Sequence, residues 1–362
     1  MAGIERQRTP GWTPDARPLA IAGIRAVLQP GIDAGRYPGA QVYASVAGDV
    51  LADLGLGEAR IGEAMTPETI VSWQCNTKPV VGVAIAQLCE RGVVELDKPV
   101  ATYMPAFAAH GKDKVTLRHL LTHTVRFVRP MGGGGAADLT IEEREAQWSD
   151  MELDPDFPLG ARAKYTMMTG YEIAAAVLRH VDGRPLTRYV RDEIFGPLDM
   201  HDCWIGVDED ALADVGSRIA FLYDTQGAKP QIPLMMGGVA EGRDLDRAWA
   251  GTGGIGPMRE LGRMYEALLA SPERVAALTQ RPELGDGVLG PWSPGFLAAP
   301  GFFGKWFPAA FGHEGLQFSM ALADPDTGIV VSAMVNGLTR GGSLHDLMQV
   351  GRAVYDAVAA TR

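Results

Sequence analysis

Cysteine is scarce in this chain, three in 362 residues, and no long apolar run occurs. Cys75, Cys89 and Cys203 are too few, and odd in number, for a disulfide framework, so a reducing compartment, the cytoplasm, is expected. Without a stretch of about 18 apolar residues, no membrane-spanning helix is expected. The segment from Met1 to Pro10 has no apolar region of the secretory-signal kind. Basic residues are outnumbered, 33 Lys and Arg against 44 Asp and Glu, and the net charge of −11 argues against nucleic acid or an anionic membrane as partner. No internal repeat or low-complexity block is present. The remainder, 46% hydrophobic and 21% charged, is the composition of an ordinary soluble enzyme with room for one large core or two lobes.

The chemistry concentrates at Cys75-Asn76-Thr77-Lys78. The run from Val80 to Cys89 is apolar on nearly every side and ends in Glu90-Arg91-Gly92, which predicts a buried helix stopped by glycine. Pro79 lacks an N–H and is tolerated only in the first helical turn, so the helix starts close to Cys75. A residue there sits among free backbone N–H groups at the positive end of the helix dipole. Lys78, three residues on, shares its face. A nucleophile, a neighbouring cation and N–H donors are the parts that acyl transfer needs.

Elsewhere, Leu19, Ile21, Ile24, Val27 and Leu28 mark the apolar side of a helix within residues 13–37, and the runs 39–46 and 50–55 around Ala47-Gly48-Asp49 carry a hairpin signature. Helices are expected from Glu172 to His180, Arg188 to Phe195, Met258 to Leu269 and over 343–360. Phe318 to Ala323 and Gly328 to Val335 read as paired strands around the turn Asp324-Pro325-Asp326-Thr327. The glycine run Met131-Gly132-Gly133-Gly134-Gly135, following Arg126 and Arg129, lacks the Gly-Lys-Ser/Thr ending of a phosphate loop and reads as a mobile loop. His119 and His123 are spaced i, i+4, but no third ligand is evident, so they are assigned to packing and no metal or cofactor is expected. Cys89 and Cys203 are assigned to the core.

Ser-x-x-Lys opening a buried helix is the nucleophile motif of serine β-lactamases and penicillin-binding proteins, which this chain resembles with cysteine in the serine position. Four further stretches, in order and spaced as in that superfamily, are similar to class C β-lactamases, family VIII esterases and their acyltransferase relatives. They are Arg118-His119-Leu120-Leu121-Thr122-His123-Thr124, Pro158-Leu159-Gly160 with Tyr165, Gly183-Arg184-Pro185 to Met200, and Gly312-His313-Glu314-Gly315. The chain departs from the pattern at Cys75 and at Val125-Arg126. It departs again at Met167, where the family's Asn or Ser amide orients lysine and substrate; this counts against β-lactam hydrolysis.

The resemblance implies roles residue by residue. Cys75 is the nucleophile; a buried structural thiol and an engineered replacement of serine are its alternatives. Lys78, in apolar surroundings, joins Cys75 and Tyr165 in a proton network, and Tyr165 acts as base toward the nucleophile and acid toward the leaving group. His313 contacts substrate or Tyr165, and the backbone N–H groups of Cys75 and Leu316 form the oxyanion hole. Met167, Glu314, Gly315 and Arg126 line the substrate site.

The expected fold is α/β (α+β), β-lactamase/transpeptidase-like. An antiparallel sheet flanked by helices is built from residues 1–70 and 215–362, with an all-helical lobe of residues 71–214 inserted and the site in the cleft between. The expected function is transfer of an acyl group from a small ester or thioester donor to an amine or alcohol acceptor in a biosynthetic, natural-product pathway. The alternatives are an esterase, β-lactamase or D-amino-peptidase-type hydrolase, and an inactive ligand-binding homologue. Retention of Lys78, Tyr165 and His313 argues against the last.

Overall fold

The computed structural model describes residues 14–128, 139–207, 209–225, 231–234, 249–339 and 341–361. The glycine run 131–135 and Arg129 lie outside the described residues.

The core is an eight-stranded antiparallel sheet. Across it the strands run Glu63–Ala64, Asp49–Arg60, Gly39–Val46, Ile329–Val335, Ser319–Asp324, Phe311–Gly315, Phe296–Leu297 and Trp292–Ser293. The N-terminal hairpin therefore docks against the C-terminal one, with Ala40 opposite Val335 and Val46 opposite Ile329. Every residue of Gly39–Val46 and of Ile329–Val335 is buried, so both faces of the sheet are covered. The helix Met258–Leu269 covers the face carrying Tyr43 and Ser332, whose hydroxyl donates to the Met258 carbonyl at 2.5 Å. The helices Ala16–Asp33 and Leu344–Ala359 pack on each other and on the sheet. No helix among the described residues is long and apolar enough to cross a membrane.

Between the two halves of the sheet the chain forms mainly helices: Thr77–Glu90, Leu117–Leu121, Ile141–Asp150, Thr169–Asp182 and Leu186–Val190. Two short strands in this stretch, Val71–Ser72 and Trp204–Ile205, pair on either side of Gly254–Gly256 and stitch the inserted segment to the return of the chain. Asp150 to Gly160, acidic and proline-containing, is expected to be loop; Asp150 closes the helix Ile141–Asp150 and the loop follows it from Met151 to Gly160. The Arg188–Phe195 segment differs from expectation: the α-helix stops at Val190 and Arg191–Phe195 continues as one π-turn, in which the Gly196 N–H reaches the Arg191 carbonyl.

The helix Thr77–Glu90 is buried along most of its length, from Thr77 through Ile85 and at Leu88. It ends as read: Gly92, at φ +69°, lets its N–H reach the Cys89 carbonyl and the Val93 N–H reach that of Leu88. Gly82 is required for another reason. A Cβ there would lie 2.6 Å from the Pro294 carbonyl oxygen, so the helix lies directly on the backbone of the Pro294-Gly295 turn at the sheet edge.

Candidate active site

Cys75 is fixed by what surrounds it in sequence. Gln74, at φ +52°, turns the chain sharply, and the 3₁₀ turn Gln74–Asn76 then feeds the buried helix. The Trp73 N–H donates to the Gly254 carbonyl at 2.9 Å and its indole N–H to that of Gly256 at 2.9 Å. The Thr77 hydroxyl donates to the Gln74 carbonyl at 2.6 Å and accepts the Gly254 N–H at 2.8 Å. On the other side, Asn76 Nδ2 donates to Ser319 Oγ at 2.9 Å, and that hydroxyl donates to the Trp73 carbonyl at 3.0 Å. Both flanks of the thiol are thus tied to the sheet.

Lys78 is fully buried, and its Nζ donates to the Gly251 carbonyl at 2.9 Å. The amine lies 5.2 Å from the centre of the Tyr165 ring and 5.1 Å from that of Tyr171. Burial holds its pKa below the usual lysine value, against the upward pull of Cys75, Glu172 and Glu314. The free amine is accordingly more accessible here than at a surface.

Tyr165 faces Cys75. Its hydroxyl is buried without a well-formed hydrogen bond, and burial followed by the Cys75 thiol pushes its pKa far up. At neutral pH Tyr165 keeps its proton. A phenol that keeps its proton is suited to the acid half of its expected role.

His313 is 3% exposed, and its Nδ1 lies 2.6 Å from the Glu314 carbonyl. A carbonyl only accepts, so Nδ1 carries the proton and Nε2, buried and unpartnered, presents a lone pair. Burial, then the nearby Lys78, lower its pKa to about 3, so the ring is neutral. Its ring centre lies 6.2 Å from that of Tyr165.

Cys75, Lys78, Tyr165 and His313 thus form one constellation. Leu316, at φ +45° and 46% exposed, sits in the turn after Gly315; the Glu314 carboxylate braces that turn by accepting the Gln317 N–H at 2.8 Å. Glu314 acts electrostatically on both Lys78 and Tyr165. A Cβ at Gly315 would lie 2.6 Å from the Trp73 carbonyl oxygen, so only glycine lets this strand pass the nucleophile turn. Met167 is half exposed beside the site and offers no amide. Arg126, expected among the substrate-lining residues, pairs its guanidinium with Asp154 at 3.2 Å, and its carbonyl accepts the Asp154 N–H.

Three side chains at the site escaped sequence reasoning. His123, assigned to packing, is fully buried with its ring 4.7 Å from Tyr165 and 5.2 Å from Trp292. Trp292, in turn, lies 5.8 Å from Tyr165. Glu172 sits behind Lys78, buried in the first turn of its helix. His119 belongs instead to a capping box with Thr116. Cys89 and Cys203 are poor nucleophiles: burial pushes the first thiol up to about 11 and the second well above its usual value, with Cys203 donating to Glu260 at 3.0 Å.

The beta-lactamase family model matches residues 24–354, a span that takes in Cys75, Lys78, Tyr165 and His313. The chain belongs to the beta-lactamase family. Esterase EstB of Burkholderia gladioli is 28% identical to it over 323 residues, 79% of this chain and 81% of that protein. The esterase/beta-lactamase LipL of Mycobacterium tuberculosis is 28% identical over 318 residues, 74% of this chain and 71% of that one. Among solved structures, a penicillin-binding protein homologue from Caulobacter crescentus superposes with a TM-score of 0.76 at 25% identity, covering 93% of this chain and 97% of its own. EstCE1, described as a hydrolase with promiscuous acyltransferase activity, reaches 0.76 at 20% identity over 94% and 99%, a likeness of fold. This member of the family is an enzyme of hydrolase or acyltransferase type.

Proposed function

We propose that the enzyme moves an acyl group from a small ester or thioester to an amine or alcohol by way of a thioester on Cys75, in cytoplasmic natural-product biosynthesis. One observation carries this reading. The Lys78 amine, fully buried and depressed in pKa, lies within electrostatic reach of Cys75, so a thiol proton has a receptor beside it.

In the forward half-reaction, Cys75 Sγ attacks the donor's carbonyl carbon while its proton passes to Lys78 Nζ. The oxyanion draws on the N–H groups of Cys75 and Leu316. As the intermediate collapses, the Tyr165 hydroxyl protonates the departing oxygen or sulfur, and the Lys78 ammonium restores the Tyr165 proton. In the second half, the acceptor attacks the thioester, its proton goes to the Lys78 amine, and the thiolate leaves and is reprotonated. A thioester favours an amine over water more than an oxygen ester does, which is why cysteine in place of serine supports transfer. The names of EstB and LipL favour hydrolysis as the second reading, water being then the acceptor.

Intact-protein mass spectrometry after exposure to ester, thioester and β-lactam panels tests both. The expected result is an adduct that requires Cys75, is absent in Cys75→Ala, and is discharged faster by added amines than by water. Equal discharge by water makes the protein an esterase. No adduct with any donor defeats both readings.

A further inference from the structure

A single residue, Gly251, joins the buried lysine to a carboxylate for which the acyl-transfer steps have no use. The Gly251 carbonyl accepts the Lys78 amine at 2.9 Å, and the Gly251 N–H donates to Glu172 Oε1 at 3.3 Å. The three groups come from three places in the chain: the nucleophile helix, the turn entering the strand Gly254–Gly256, and the first turn of Thr169–Asp182. Glu172 is 4% exposed and Lys78 is fully buried, so water does not intervene between them and the peptide.

The groups acting on Glu172 come from each neighbouring element. Arg144 of the helix Ile141–Asp150 is 1% exposed and supplies the strongest favourable charge; its guanidinium also lies 4.8 Å over the Trp249 ring. The N–H groups of Gly251 and Ala250 donate to the carboxylate, and Lys78 lies beyond the peptide. Arg179, two turns further along the same helix, lines the same small cavity, with Glu142 and Glu145 as partners. Burial outweighs all of these, and Glu172 is pushed up to about 7.

Glycine is required at 251. A Cβ there would stand 3.0 Å from the Met167 carbonyl oxygen and 3.4 Å from Lys78 Nζ, so the peptide approaches the amine through space that a side chain would fill. Met167 itself offers no side-chain acceptor for the lysine, which leaves the peptide carbonyl to orient the amine.

We infer that Glu172 is a positioning residue for Lys78, acting through Gly251: by accepting the Gly251 N–H it fixes that residue and with it the direction of the carbonyl that orients the lysine amine. The N–H and the carbonyl of Gly251 belong to adjacent peptide groups, so the coupling is positional: anchoring one side of a glycine, the residue with the freest backbone, restricts where its carbonyl points. The charge on Glu172 also stabilises the Lys78 ammonium, so the lysine gives up its proton less readily once Glu172 ionises. The pH dependence of turnover thereby acquires an inflection near neutrality that belongs to a residue touching no substrate.

This inference rests on the acyl-transfer reading, and the test separates the two. Glu172→Gln keeps shape and an acceptor for the Gly251 N–H but cannot titrate; Glu172→Leu removes both. With a neutral activated ester, Glu172→Leu is expected to lose at least tenfold in kcat with KM within twofold. Glu172→Gln is expected to retain most of kcat and to lose the inflection near pH 7. A folded Glu172→Leu with kcat within twofold of wild type, or an unchanged inflection in Glu172→Gln, overturns the inference. Should Glu172→Leu not fold, the Glu172→Gln profile decides alone. Wild type that acylates Cys75 normally while these outcomes fail defeats only the role of Glu172; wild type that acylates with no donor defeats the acyl-transfer reading beneath it.

Discussion

His123 holds Tyr165 from both sides of the chain: its carbonyl accepts the Lys164 N–H at 2.9 Å, and its Nδ1 accepts the Thr166 N–H at 3.2 Å. Both peptide neighbours of Tyr165 are therefore fixed by one residue, whose ring also packs 4.7 Å from the tyrosine. Because Nδ1 accepts from a backbone N–H, the ring proton is on Nε2, and burial with Lys78 nearby keeps the ring neutral. His123 adopts φ +58°, a conformation that costs a non-glycine residue on the order of 1–3 kcal/mol and persists only where surroundings demand it.

His123→Ala is accordingly expected to release the Tyr165 segment. Turnover of a neutral ester should fall about 10–100-fold, the scale of a misplaced catalytic group, with a stability loss of about 2–4 kcal/mol for an emptied, buried site. His123→Asn tolerates the left-handed backbone and places an oxygen near the Nδ1 position, so it should recover part of kcat. Steady-state kinetics and thermal melts of both variants check this; equal kcat in the two would refute the hydrogen bond's role.

Tyr165→Phe separates acid catalysis from structure. The phenol proton has no well-formed hydrogen bond in the resting site, so its removal should change stability by less than about 1 kcal/mol. Turnover of alkyl esters, whose leaving oxygen needs a proton, should fall about 10²–10⁴-fold. Nitrophenyl esters, whose leaving group departs as an anion, should lose far less. A uniform loss across leaving groups would assign Tyr165 a positioning role instead.

Much of this arrangement was readable in one dimension. The helix Met258–Leu269 and the strands around Asp324–Thr327 declare themselves by period and turn chemistry, and the apolar run after Cys75, with Pro79 and Gly92, locates the nucleophile helix within two residues. The support of Lys78 did not declare itself, because Gly251 lies 173 residues away in sequence and no local pattern links a glycine carbonyl to a lysine. The i, i+4 spacing of His119 and His123 carries nothing about the φ +58° that His123 adopts beside the Tyr165 segment. The π-turn at Arg191–Phe195 escaped for a related reason: apolar periodicity does not distinguish bonds to i−4 from bonds to i−5 over five residues. The ion pair of Arg126 with Asp154, 28 positions on, is likewise not legible in local spacing.

Acid should unfold this protein through its buried histidines. His313 has an ordinary value of 6.5 lowered to about 3 in the fold, so the unfolded chain binds a proton between those limits and the folded chain does not. Stability is then present in full above pH 6.5 and is lost as pH falls toward 3, by about 1.4 kcal/mol per pH unit at most. His123 shifts in the same direction. Urea midpoints at pH 7 and pH 4.5 should differ less in His313→Gln than in wild type, by about 2–3 kcal/mol of unfolding free energy. Equal pH sensitivity in the two would mean that other groups carry the acid transition.

The last expectation concerns Gly82, one helical turn after Lys78. Its Cα lets the nucleophile helix lie against Pro294-Gly295, and an added methyl would meet the Pro294 oxygen at 2.6 Å and the Gly295 Cα at 2.9 Å. Neither contact is a flexible side-chain end, so the helix or the turn must move. Gly82→Ala gains up to about 1 kcal/mol in helix propensity, while overpacking costs about 1–3 kcal/mol; the balance should be a net loss near 1 kcal/mol. The greater effect should fall on catalysis, because Lys78 is one turn N-terminal of Gly82 and its carbonyl lies 3.1 Å from where a Cβ on Gly295 would stand. A helix displaced by a few tenths of an ångström shifts Cys75 and Lys78 together against Tyr165, which is anchored separately through His123. The expected signature is a kcat loss several times larger than a change of about 1 kcal/mol in stability would suggest, with KM unchanged. A variant with wild-type kcat and lowered melting temperature would mean the turn, not the helix, gives way.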